Sequence, residues 1–339
     1  MKKLLNVLAL FVLIVFAAGC SNSGNKTMEK TNTSSKETNS KEKTVYTLIS
    51  LPNDGGQMSN GVEAAIEEMN IALEPFNAEV KYQAADDYSV VSEAILSGTA
   101  QFTNASGATY VKARMENNKI IPMFVPAPDG DLERAGYPAY IATNISHKSD
   151  FDGIEGKEAL KKLKGKSFSF VSATSTSGRV VPTTTFWEVF GPEGTGEVDK
   201  KSKIYEENID NGGIFSEVQF AGSHPASVEL IANDRVYAGA FCCEYGEPYK
   251  DKLNIIYEQQ VSGDPYWVNS ENVPKEHIDA IIDHFTELTP DNVTAKNFFA
   301  PEGETADDKN KYEIGHDERY VKVDASYFDF LEKMFKDEM

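Results

Sequence analysis

With 339 residues the chain is too long for one ordinary domain and comfortable for two. Apolar residues make up 40% of it and charged residues 25%, the balance of a globular protein with a sizeable core. A formal net charge of −20 argues against nucleic acid or an anionic membrane face as partner, but not against a small anion, which local donors hold.

The chain begins with the basic "MKK", the apolar "LLNVLALFVLIVFA" and the small-residue site "AAGC" ending in Cys20. This resembles a bacterial lipoprotein signal, in which residues 1–19 are removed and Cys20 carries the lipid. Ala17, three positions before Cys20, stands where Leu is commoner. An ordinary secretory signal cut nearby is the alternative. Residues 20–43 are rich in Ser, Thr, Asn, Lys and Glu without an aromatic, the composition of a flexible tether. The apolar start is short for a membrane span, and no other run competes with it. The folded part is therefore expected on the outer face of the cell membrane, anchored through its lipid (palmitate being one such acyl chain).

From Thr44 short strands alternate with helical patterns: "TVYTLISL", "GVEAAIEEMNIALEPF", "AEVKYQAA", "SVVSEAILSG", "TAQFTNASG", "ATYVKARMENN" and "KIIPMFVPA". That order predicts an α/β domain with a mostly parallel sheet. The pattern restarts at "YPAYIATN" and continues through "EALKKLKGK", "SFSFVSA", "VPTTTFWEVFG", "SEVQFAG", "PASVELIANDR" and "VYAGAFCC". Residues 192–216 read as a charged, exposed excursion. The tail, with helices near 275–288 and 325–337, has no complete α/β unit and is expected to pack on the first lobe. The expected division is a first lobe over 44–139, a second over 140–243, and a return to the first over 244–339, with a ligand cleft between lobes.

Two polar turns follow strands and open helices. In "FVSATSTSGRVVP", Ser175, Thr176 and Ser177 offer hydroxyls and backbone N–H groups where a helix dipole begins, an arrangement that suits one oxyanion. A plain N-cap explains the same residues. Pro182 fits the first turn only if the helix starts near Val181. In "AGSHPASVEL", His224 stands at a second such helix start and can donate an imidazole N–H, although a lone capping His is often structural. Cys242-Cys243 reads as two small residues ending a buried strand; a vicinal disulfide or soft-ion site is the rival, and nothing beside the pair suggests zinc. There is no G-x-S-x-G elbow and no Walker loop, and three adjacent hydroxyls look like shared donors rather than one activated nucleophile. No catalytic residue, cofactor or metal ligand is expected.

Over roughly residues 44–300 these motifs resemble, in the right order, the phosphate/phosphite/phosphonate-binding proteins of ABC transporters. "STSGRVVP" is similar to that family's Ser-Thr-Ser-Gly-x-x-x-Pro signature, "GSHPASVELIANDRVYAGA" to its Gly-x-His helix and following strand, "ADDYSVVSEAILSG" to its Asp-Tyr motif, "RAGYPAYIATN" to its Gly-Tyr segment and "SGDPYWV" to its Gly-Asp-Pro turn. The resemblance implies a two-lobe, type II periplasmic-binding-protein fold. It also implies that Ser175, Thr176, Ser177 and His224 clasp a phosphonate and that Tyr88 and Tyr137 line the pocket, although either Tyr alone suits ordinary packing. Some members that bind aminophosphonates carry carboxylates at positions matching Glu244 and Asp264. Pairing with a ligand ammonium would explain acids in an anion-binding cleft; solvated rim charges are the alternative.

The sequence departs from the family in three places. Asn104-Ala105-Ser106-Gly107 replaces an aromatic pair before Gly, which enlarges the pocket and puts Ser106 at its wall. Tyr237 stands where Asp is usual, and the 192–216 segment is long. The expectation is a monomeric solute-binding lipoprotein that captures a phosphonate-type anion or zwitterion and delivers it to an ABC permease. Another oxyanion or a larger ligand is the nearest alternative; an adhesion or sensing lipoprotein is one of another class.

Overall fold

The computed structural model describes residues 42–51, 58–304 and 311–336, with Glu244 described by its backbone alone. The expected signal, Cys20 and the tether lie outside the described residues.

The first half alternates as expected: β1 Thr44–Ser50, α1 Asn60–Leu73, β2 Ala78–Ala84, α2 Tyr88–Ser97, β3 Phe102–Thr103, α3 Gly107–Glu116 and β4 Ile120–Pro128. Each helix start has a chemical cause. Ser59, Asp87 and Ser106 cap α1, α2 and α3 by accepting backbone N–H groups of the first turn. Gly98, at φ +76°, ends α2 in a left-handed conformation that glycine adopts without penalty.

The chain then crosses to a second lobe: β5 Tyr137–Asn144, α4 Lys157–Lys161, β6 Ser167–Phe170, α5 Val181–Phe190, α6 Lys203–Glu206, β7 Glu217–Phe220, α7 His224–Ala232, β8 Ala238–Cys242 and β9 Leu253–Val261. It returns through β10 Tyr266–Asn269, α8 Lys275–Glu287, β11 Glu318–Lys322 and α9 Asp329–Lys336.

Two sheets result, ordered β2-β1-β3-β10-β4-β11 and β7-β6-β8-β5-β9. In the first, β1 pairs in parallel with β2 and β3, whereas β10 runs antiparallel between β3 and β4. β9 pairs with β5, so strand residues of the second sheet extend to Val261, past the crossing expected at 243. In "LNIIYEQQV" the buried residues Leu253, Ile256 and Val261 are spaced three and five apart, on a strand whose pairing with β5 shifts register between Ile141 and Ala142.

Two chain crossings connect the lobes, between β4 and β5 and between β9 and β10. They meet at Gly136, where a Cβ would lie 2.2 Å from the Val261 carbonyl oxygen. A side chain cannot fit there. α8 packs Ile278, Ile281 and Phe285 against Phe102 and Phe124 of the first sheet, and α9 adds Leu331 and Phe335 beside Tyr110 and Trp267. The tail therefore joins the first lobe.

The segment 192–216 is less exposed than its charge suggested. Val198, Ile204, Ile214 and Phe215 enter the second lobe's core, and buried Lys201 donates from Nζ to the Met334 carbonyl of α9 at 3.2 Å. Single apolar residues among charges anchor a segment without leaving a periodic signal.

Candidate functional site

β6 delivers the hydroxyl loop to the lobe junction. Ser175 is extended (φ −70°, ψ 125°) and its Oγ accepts the Gly178 N–H at 3.1 Å, so the capping role is real. Thr176–Val180 then forms a π turn, whose wider ring is common at functional sites, and α5 starts at Val181 with Pro182 in its first turn. Ser175, Thr176 and Ser177 are at most 1% exposed.

α3 of the first lobe starts directly opposite. Ala108 N–H donates to Thr176 Oγ1 at 2.9 Å, and Ser106 Oγ donates to the Thr174 carbonyl at 2.9 Å. Ser177 Oγ is buried without a hydrogen-bond partner among the described residues. Two helix starts thus converge on a set of hydroxyls, one of them unsatisfied. Burying an unpaired hydroxyl is costly, which is the condition for strong gain when an acceptor arrives.

His224 is the first residue of α7, behind the Ser223 cap. Its Nδ1 accepts the Cys242 backbone N–H at 3.2 Å, which puts the neutral ring's proton on Nε2. Nε2 lies 3.4 Å from Ser175 Oγ and 3.8 Å from Cys242 Sγ, and the ring stacks parallel on Tyr245 at 5.5 Å. The β8 backbone and Tyr245 together fix the imidazole as a donor beside the hydroxyl loop. Cys242 and Cys243 are free thiols, with Cys243 in the left-handed region at φ +56°.

A cavity of about 630 Å³ opens in front of this junction. Tyr88, Ser106, Tyr137, His224 and Asp264, five residues singled out in the sequence, are among those that line it. Ser175, Thr176 and Ser177 are buried and are not part of its described lining; Thr176 meets the start of α3, and Ser175 meets His224. The side chain of Glu244 lies outside the described residues. Asp264 Oδ1 accepts the Gly107 N–H at 3.0 Å and the Tyr137 hydroxyl at 3.2 Å, tying the start of α3 to the lobe crossing. Burial, then the Asp264 carboxylate, push the Tyr137 phenol well above its ordinary range, so it remains a donor. Tyr237, at the family's Asp position, instead donates to Asp150 on the surface at 2.6 Å.

One part of the lining was not foreseen. Glu313, in "KYEIGHDERY", accepts from both Tyr266 and Tyr320 at 2.6 Å on Oε1. Its segment reads as solvated turn sequence, and only the tertiary pairing reveals its position. Asn104 also lines the cavity, accepting the Ser50 hydroxyl on Oδ1 at 2.5 Å.

Among the described residues no group of three or more His, Cys, Asp and Glu could hold a metal ion, and no helix is long and apolar enough to cross a membrane.

A sequence profile described as "ABC transporter, phosphonate, periplasmic substrate-binding protein" matches residues 51–327. The chain belongs to this family. Phosphonate-family substrate-binding proteins are transporter components rather than enzymes, and they imply a small-molecule ligand and a membrane permease as partners. A comparison with curated protein sequences gives no match. Among solved structures, PhnD1 from Prochlorococcus marinus, in complex with methylphosphonate, superposes with a TM-score of 0.62 at 15% identity, covering 87% of this chain and 99% of that one. A binding protein component of an ABC phosphonate transporter from Pseudomonas aeruginosa gives 0.56 at 15% identity, covering 86% of each chain. XAC2383 from Xanthomonas citri, bound to ATP, gives 0.57 at 12% identity, covering 87% and 97%. These likenesses establish the two-lobe, type II fold.

Proposed function

We propose that this family member captures an aminophosphonate between its lobes and is held at the outer face of the cell membrane by a lipid on Cys20. The observation that supports the ligand reading is that His224 and Asp264 line the same cavity, with His224 Nε2 3.4 Å from Ser175 Oγ in the loop whose Ser177 hydroxyl is buried without a partner among the described residues. The donors suit a phosphonate; the carboxylate suits an ammonium on the same molecule. The hydroxyl loop is engaged with α3 through the Ala108–Thr176 contact, so an anion that reaches it displaces that contact. The anion then replaces it as the bridge between the lobes, which makes closure ligand-selected.

Calorimetry tests this reading. 2-Aminoethylphosphonate should bind more tightly than ethylphosphonate or inorganic phosphate, and the double variant Thr176→Ala/Ser177→Ala should lose about 1.5–3 kcal/mol per charge-assisted bond removed. Equal affinity for the amino and ethyl ligands would end the zwitterion reading. Wild-type titration curves for the double variant would end the anion-site assignment.

A further inference from the structure

We infer that Cys242 and Cys243 form a redox modification site at the ligand cavity. A low-molecular-weight disulfide oxidises the pair to a vicinal disulfide, and closing that ring releases His224 and weakens anion binding. The modification does not depend on which ligand the cleft takes; its effect on binding rests on the anion-site reading above.

Placement is the first observation. Cys242 ends β8, paired with Ala139 of β5. In a continuing strand Cys243 would point to the opposite face. Instead it turns into the left-handed region at φ +56°, which is costly for a residue with a Cβ and persists where the surroundings hold it. Both residues line the cavity. Cys242 is buried and Cys243 only partly so, and a small reagent in the cleft therefore meets Cys243 more readily. Both also act on the Tyr137 phenol at the lobe crossing: burial and then Asp264 raise it most, and charge on Cys242 and Cys243 adds to that. The turn thus sets two consecutive thiols beside one phenol and one cavity.

The second observation is the double tie to His224. The Cys242 N–H donates to Nδ1 at 3.2 Å, and Cys242 Sγ lies 3.8 Å from Nε2. Since Nε2 carries the ring proton, an N–H donor faces the sulfur and stabilises negative charge developing there during exchange.

Supply is the third. The chain's cysteines are Cys20, Cys242 and Cys243. With Cys20 carrying a lipid, the two neighbours have only each other to pair with. The family is periplasmic, and that compartment is oxidising.

The chemistry closes in two exchanges. The Cys243 thiolate attacks one sulfur of the small disulfide, whose S–S bond breaks, and the departing thiolate takes the proton that Cys243 gave up. The Cys242 thiolate then attacks Cys243 Sγ and expels the second small thiolate, which takes the Cys242 proton. The protein pair is oxidised by two electrons and the small disulfide is reduced by them. Neighbouring Cα atoms stand about 3.8 Å apart, closer than the roughly 4.4–6.8 Å that suits a disulfide. The ring therefore closes only if the backbone shifts, and Cys242 carries the N–H that orients His224. A bond strained in this way is readily reduced, so the change is reversible.

The test treats the mature protein with bis(2-hydroxyethyl) disulfide and then with dithiothreitol. Intact mass and peptide mapping follow the thiols, and calorimetry follows 2-aminoethylphosphonate and methylphosphonate. Oxidation should remove two hydrogens, mapped to Cys242 and Cys243, and lower affinity about tenfold or more. Dithiothreitol should restore both. Cys243→Ser, and separately Cys243→Ala, should bind like the reduced wild type before and after the oxidant. An unchanged mass in excess reagent, or a mixed disulfide that stays on Cys243, would overturn the proposal. So would an affinity loss that persists in both Cys243 variants. Ring closure with unchanged affinity would overturn the coupling to His224. If the reduced protein binds neither phosphonate, the anion-site reading falls and the effect on binding with it, while the mass change still decides the modification.

Discussion

At the scale of single residues, buried phenols tie ligand recognition to alkaline stability. Tyr137, Tyr266 and Tyr320 are all pushed well above the ordinary value of 10.0, first by burial and then by the Asp264 or Glu313 carboxylate beside them. Unfolded, each ionises near pH 10; folded, each keeps its proton beyond that point. The stability they contribute is therefore complete below about pH 10 and lost as pH climbs toward the folded values. The urea midpoint should fall steeply above pH 10, and Tyr320→Phe should flatten that fall. An identical alkaline profile for variant and wild type would remove Tyr320 from the account. His224 was singled out at a helix start, Asp264 and Tyr88 through the resemblance to the family's motifs, and all three line the cavity. Glu313 was not legible, because what makes it special is Tyr266, 47 residues away, and Tyr320 across a turn.

At the scale of elements, the π turn depends on Gly178. A Cβ there would lie 2.4 Å from the Val171 side chain and 2.7 Å from Ser175 Oγ, and Gly178 carries both the N–H held by Ser175 and the carbonyl that accepts Val171 N–H at 3.1 Å. No shift relieves one contact without straining another. Gly178→Ala should cost about 1–3 kcal/mol of folding free energy, read from denaturant midpoints, and should weaken anion binding in parallel. A stable Gly178→Ala protein with normal titrations would show that the turn has slack. The alternation of strands and helices was readable because caps and stops are local chemistry: Asp87, Gly98, Ser106 and Ser223 announce themselves. β10 was not, since "YWVN" is four residues long and its strand character comes from the neighbours between which it is inserted. β9 was missed because its buried residues, Leu253, Ile256 and Val261, follow no two-residue period.

At the scale of the whole molecule, the restart of the pattern at "YPAYIATN" coincides with β5 of the second sheet, and β10 and β11 of the tail pair in the first sheet. The order of strands could not be read, because no local signal says that β4 finds its partners so late. β4 pairs with β10 and β11 only, and β10 is also the second neighbour of β3. A ribosome that has just finished the second lobe has therefore made a first lobe whose sheet stops at β3, with β4 waiting for strands still to be translated. The second sheet, spanning Tyr137 to Val261, needs nothing later and can form as soon as it emerges. Chains arrested at residue 265 should resist protease over the second lobe and be cut within residues 44–128, whereas chains extended through 336 should be protected in both. Early protection of the N-terminal segment would contradict this order. The larger, six-stranded sheet thus stays open until translation is nearly done, and the lobe that starts second is the one that closes first.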